Sequence, residues 1–174
     1  MNSMDVLRYG HQTVLQNVEV LPDSDWLTPG ACGVWSVKDI IAHLASFEVV
    51  LAELLESLSL VDEVPTPALD RFISDNVGFN DLEVNARAAL SREAVWAEYE
   101  SACHKTIDLI AEVPVAQRRQ NGALPWYGME YDLEDFIVYT FYGHKREHAA
   151  QIAFYRDVLR EPELSAAMRA AYQG

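Results

Sequence analysis

Three histidines carry the chemistry this chain makes available: His43 in one apolar stretch, and His144 with His148 four positions apart in another. A neutral imidazole keeps one lone pair for a donor or a metal, and burying it without a partner costs free energy. The i, i+4 spacing sets the Cβ atoms of His144 and His148 roughly 5–6 Å apart on one helix face. Two rings so placed can reach one ion at about 2.0–2.1 Å per Zn–N bond. If the helix of His43 faces that of the pair, three nitrogens meet and a fourth position stays open for water or substrate. That is the pattern of a catalytic metal site rather than a structural one. Three imidazoles suit Zn, Ni, Fe or Cu, with Zn or Ni foremost.

The remaining chemistry is thinner. His11 falls on an apolar face between Leu7 and Val14 and reads as a core or pocket-lining residue. His104 lies with Glu100 and Asp108 on a polar face and reads as solvated. Ser46 has no Ser–His–Asp partner set, and no glycine-rich phosphate loop is present. Glu134 and Asp135 sit at a helix start, where the dipole favours acids. Gln151 is one turn past His148 and Tyr155 two turns past, so both are candidate pocket or ligand-supporting residues. Trp35, Trp126 and Tyr127 precede the two histidine-bearing helices and could wall a substrate pocket, or simply cap the core.

These residues need helices to position them, and the pattern supplies four. The first spans residues 4–21, with Leu7, His11, Val14, Val18 and Leu21 on one face. The second opens with Ser36 as N-cap and Asp39 three positions on. Its stripe is Ile40, His43, Phe47, Val50 and Leu54, which leaves Glu48, Glu53 and Glu56 expected in solvent. A connection over 61–80 carries a short helix near 69–76. The third helix comes in two parts, 81–90 and, after Ser91 as N-cap, 92–113, stopped by Pro114. After a loop over 115–131, the fourth runs over 132–159 with Ile137, Phe141, His144, His148, Ile152, Tyr155 and Leu159 as its stripe. A short helix over 165–172 closes one end. No strand alternation appears, so the expected fold is all-α, a four-helix bundle with long connections.

The chain has 174 residues, half of them apolar, which fits one domain spanning 1–174. Its formal charge of −14, from 27 acidic against 13 basic residues, repels phosphate backbones and argues against nucleic-acid partners. Lys145-Arg146 and Arg118-Arg119 are the only locally basic fragments. There is no long apolar run for a membrane and no basic-then-apolar start, so a soluble, cytoplasmic protein is expected. Cys32 and Cys103 lack CxxC spacing and read as reduced thiols, Cys103 as a small core residue.

The segment Gly33-Val-Trp-Ser-Val-Lys-Asp-Ile-Ile-Ala-His43-Leu-Ala-Ser-Phe-Glu48 resembles the WSxxxxxxHL helix of the DinB/YfiT-like superfamily. Gly143-His144-Lys-Arg-Glu-His148-Ala-Ala-Gln151-Ile152 resembles that family's HxxxHxxQI helix. Asn85-Ala-Arg and the helix that ends before Pro114 are similar to the ClbS/DfsB branch. The resemblance implies a four-helix bundle with a divalent metal on His43, His144 and His148, and frequent homodimers. It further implies a metal-dependent S-transferase using a low-molecular-weight thiol (bacillithiol, mycothiol or glutathione) on small electrophiles, or a related isomerase or hydrolase. The ClbS/DfsB branch implies a metal-independent resistance protein instead. From the residues alone, a non-enzymatic metal- or small-molecule-binding protein and a plain structural bundle also stand.

Overall fold

Why four helical runs form can be read from their ends. The computed structural model describes residues 2–59 and 64–171. Helix α1, Ser3–Val18, starts where the Asn2 side chain accepts from the Met4 amide. Helix α2, Val37–Ser59, starts with a reciprocal cap. The Asp39 amide donates to Ser36 Oγ at 3.2 Å, and the Ser36 amide donates to Asp39 Oδ2 at 2.9 Å. The connection after α2 holds two short helices, α3 (Pro67–Ser74) and α4 (Asn76–Ala86). Helix α5, Arg92–Glu112, is capped by Ser91 accepting from the Ala94 amide, as its sequence implies. One turn of helix, α6 (Val115–Arg118), follows Pro114.

The fourth run is continuous but not uniform. It opens as α7, Leu133–Phe136, under a capping box between Asp132 and Asp135. It then widens into a π-helical segment, Ile137–Gly143, before resuming as α8, His144–Arg160. The π segment is a run of β-branched and aromatic residues ending in glycine, all weak α-formers. Such segments recur at functional sites, and here it ends where the first histidine of the pair begins. Helix α9, Pro162–Ala171, comes last. The expected start of the 61–80 connection and the expected helix end at Tyr172 lie outside the described residues. Among the described residues there is no strand; one isolated bridge pairs Cys32 with Trp35. No described helix is long and apolar enough to cross a membrane.

Packing divides the interior into two apolar cores. One gathers Val14 and Val18 of α1, Val37–Ala45 positions of α2, Tyr99 of α5, and Ile152 and Tyr155 of α8. The other gathers Val6 and Leu7, Leu51 and Leu55, Ile110, and Phe136 and Phe141. Each of the four helical runs contributes to both cores, and each changes character at the level between them. There α1 offers Gly10 and His11, α2 His43 and Glu48, α5 Thr106, and α8 His144, Lys145 and His148.

That layer corrects an expectation. Glu48, placed in solvent by its position off the apolar stripe, is fully buried. Its carboxylate receives Lys145 Nζ at 2.7 Å and the Thr106 hydroxyl at 2.8 Å. Lys145, named above only as part of a locally basic fragment, is buried with it. Helix α2 is covered by α5, α8, α3 and α4, so little of its circumference remains for solvated acids. Glu53 is also diverted: its carboxylate accepts from the Ala68 and Leu69 amides and caps α3. Glu56 meets Lys105 at 2.8 Å nearer the surface.

Candidate metal centre

Helix α2 carries His43 on its second turn, and α8 begins with His144 and places His148 one turn on. The three rings meet. His144 Nε2 lies 2.8 Å from His43 Nε2 and 2.9 Å from His148 Nε2. One ligand atom from each residue falls within 4.8 Å of the others. His43 and His148 are buried, and His144 is partly open.

The walls are apolar on both sides. The Trp35 ring lies 5.0 Å from the His43 ring, and Phe47 lies 4.8 Å from His43 and 4.4 Å from His144. This environment disfavours imidazolium. Burial first, then the neighbouring rings, pushes His43 down to about 2. Burial, His148 and Lys145 push His144 down to about 3. His148 is lowered too, by burial, against the hydrogen bond to Gln151 that raises it. Three neutral rings keep three lone pairs.

Their hydrogen bonding cannot be closed by protons alone. Gln151 Oε1 lies 2.8 Å from His148 Nδ1 and accepts its hydrogen, which leaves His148 Nε2 as a lone pair. Both remaining contacts run through the single atom His144 Nε2. If His144 donates to His148, it has nothing to offer His43 as acceptor; if it accepts from His43, its lone pair faces that of His148. With Gln151 accepting from Nδ1, no neutral arrangement gives both contacts a hydrogen bond of their own. A cation among the three nitrogens would satisfy all of them at once, so the donor set fits a borderline-soft divalent metal.

Beside the histidines opens a cavity of about 700 Å³ whose walls include Phe47, Phe72, Trp126, Tyr127 and Phe136, and which reaches His144. Of the aromatic residues singled out in the sequence, Trp126 and Tyr127 line this cavity. Trp35 lies against the His43 ring, tilted by 47°, and is not among the residues that line that cavity. Gln151 holds a histidine rather than facing the cavity. Tyr155 is corrected: it is buried, and its hydroxyl is shared between the carbonyls of Asp25 at 3.1 Å and Thr28 at 3.0 Å. It fastens the loop before α2. Phe72 was missed because it lies in a connection; the aromatic pair Phe72 and Phe79 there was the available signal.

His11 is half-buried, its Nδ1 3.5 Å from the Tyr99 hydroxyl, and burial with Lys145 lowers it to about 4. His104 is exposed as expected. Cys103 is buried in the core. Cys32 is half-buried, and burial with Glu147 nearby raises its thiol above the usual range.

A family model described as the mycothiol maleylpyruvate isomerase N-terminal domain matches residues 7–132. The match runs from Leu7 within α1 through α5, with His43, and ends at the cap of the fourth helical run, ahead of His144 and His148. No curated protein and no solved structure matches the chain. The sequence match over most of the chain and the helical bundle agree, and the protein belongs to the mycothiol maleylpyruvate isomerase N-terminal domain family, within the DinB/YfiT-like superfamily.

Proposed function

We propose that the protein is a metal-dependent S-transferase that joins a low-molecular-weight thiol to a small electrophile, with His43, His144 and His148 as the metal ligands. The convergence of three neutral Nε2 atoms on one point carries this reading. The bound metal, Zn or Ni, would act as a Lewis acid holding the thiol as thiolate. The chain's own residues do the rest. Gln151 fixes the His148 tautomer so that Nε2 faces the centre. Trp35 and Phe47 exclude water from the rings. The aromatic cavity that reaches His144 would hold the electrophile. In the reaction the thiol proton leaves to solvent, sulfur forms a bond to the electrophilic carbon, and the displaced group departs with the electron pair.

Elemental analysis of untagged wild type beside His148→Ala tests it. Near-stoichiometric metal in the wild type, lost from a variant that still folds, is the expected result. Thiol-transfer assays with mycothiol, bacillithiol and glutathione should then show a rate that vanishes with chelation. A wild type that is empty and refuses both Zn and Ni would overturn the reading in favour of metal-independent binding of the ClbS/DfsB kind.

A further inference from the structure

The cavity beside His144 has a chemical character of its own. Four rings wall it in edge-to-face contact: Phe47 on Phe72 at 5.5 Å, Phe72 on Trp126 at 6.3 Å, and Trp126 on Phe136 at 5.2 Å between centroids. Such walls leave slots that take a flat apolar body. The polar lining is neutral except at one point. Tyr127 is paired with Thr140, and Tyr139 adds a hydroxyl at the exposed rim. Glu147 is the one charged side chain among the described lining residues, and it is exposed.

No lysine or arginine among the described residues lines the cavity. The three that adjoin lining residues in sequence are committed elsewhere: Arg71 pairs with Glu83 at 2.8 Å, Lys145 is buried against Glu48, and Arg146 lies over the Tyr142 ring at 5.5 Å. A carboxylate or sulfonate entering here would find no cationic side chain among the described lining residues and would face both Glu147 and a chain of net charge −14. A cation would find the opposite: ring faces that attract it and a carboxylate at the rim.

We infer that this cavity selects an aromatic substrate body that is neutral or cationic and rejects an anionic one, with Glu147 and the ring walls as the selecting groups. As a statement about the electrophile it rests on the proposed metal centre; as a statement about binding it does not. A dicarboxylate is therefore a poor substrate at this end of the site, and a planar amine or quaternary ammonium compound a good one.

Calorimetric titration with three matched probes tests it: 2-naphthyltrimethylammonium, 2-methoxynaphthalene and naphthalene-2-sulfonate. None of the three is a strong metal ligand, so they read the cavity rather than the histidines. On protein as purified, the ammonium probe should bind at least about tenfold more tightly than the sulfonate, with the methoxy compound between. Glu147→Gln should bring the ammonium probe level with the methoxy compound, and Glu147→Lys should reverse the order of the charged pair. Sulfonate binding as tight as ammonium in wild type, or an order unmoved by Glu147→Lys, would overturn the inference. Metal content measured on the same sample separates the two readings. Selectivity without metal would sink the transferase and keep the pocket, and metal without selectivity would do the reverse.

Discussion

Each of the central histidines refuses a proton in the fold that it would accept in the unfolded chain, where imidazole titrates near the ordinary 6.5. His43 is lowered to about 2, His144 to about 3 and His11 to about 4, in every case with burial as the largest cause. Below about pH 6.5 the unfolded state therefore takes up protons that the native state does not. Stability is complete above that pH and is lost as pH falls toward the folded values. Each such ring contributes a slope of about 1.4 kcal/mol per pH unit within the window. Urea unfolding of metal-free protein at pH 7.5, 6 and 5 should show midpoints that fall steadily, with a slope between pH 6 and 5 larger than one proton would give. A midpoint that stays constant across the three would mean the rings titrate normally in the fold. At this scale the sequence was informative because each ring stands where an apolar side chain would otherwise belong. The contact between Gln151 and His148 was legible for the same reason, one turn along the same face. Tyr155 shows the limit: its helical position marks it as inward-facing, but only the loop that folds over it decides what its hydroxyl meets.

Between elements, the Glu48–Lys145 pair ties α2 to α8 beside the histidines those same helices carry. Ions removed from water this completely are stabilising only while they are paired, since either one left alone keeps its desolvation penalty. Glu48→Ala and Lys145→Ala should each destabilise by about 3–5 kcal/mol. The double variant Glu48→Met with Lys145→Met should lose much less than the sum, because nothing charged is then stranded. Denaturant unfolding of the three proteins measures this; a double variant that loses as much as the two singles added would mean the residues act independently. The helix ends were readable from Ser36, Ser91, Asp132 and Pro114, each a local signal. This tie was not, because a single helical stripe assumes one buried face, while α2 is covered on several sides. Thr106 within the apolar face of α5 was the one trace of it. The π segment was equally hidden: its stripe steps by three and four like an ordinary helix, and only the backbone shows the wider hydrogen bonding.

At the scale of the whole molecule, four helices bury two apolar cores that suffice to define the bundle, and the polar layer between them is where folding and chemistry meet. The helix pattern and the all-α class were legible because apolar periodicity is a property of each segment alone. The depth of the layer was not, since it depends on how all four helices are aligned. A metal in that layer would link residue 43 to residues 144 and 148 across about a hundred positions of chain, and would bind the native state only. Its effect must then appear in global stability, by about 2.7 kcal/mol when free metal exceeds its dissociation constant a hundredfold. For a chain of this length about 1 kcal/mol corresponds to roughly 2–4 °C, so Zn or Ni should raise the melting temperature by about 5–10 °C. A chelator should reverse the rise, and His148→Ala should show none of it while melting near the metal-free wild type, because one ring is a small part of what the two cores bury. An equal rise in the variant would place the metal somewhere other than the three histidines. A wild type indifferent to both metals would leave those rings as packing residues, held neutral by burial.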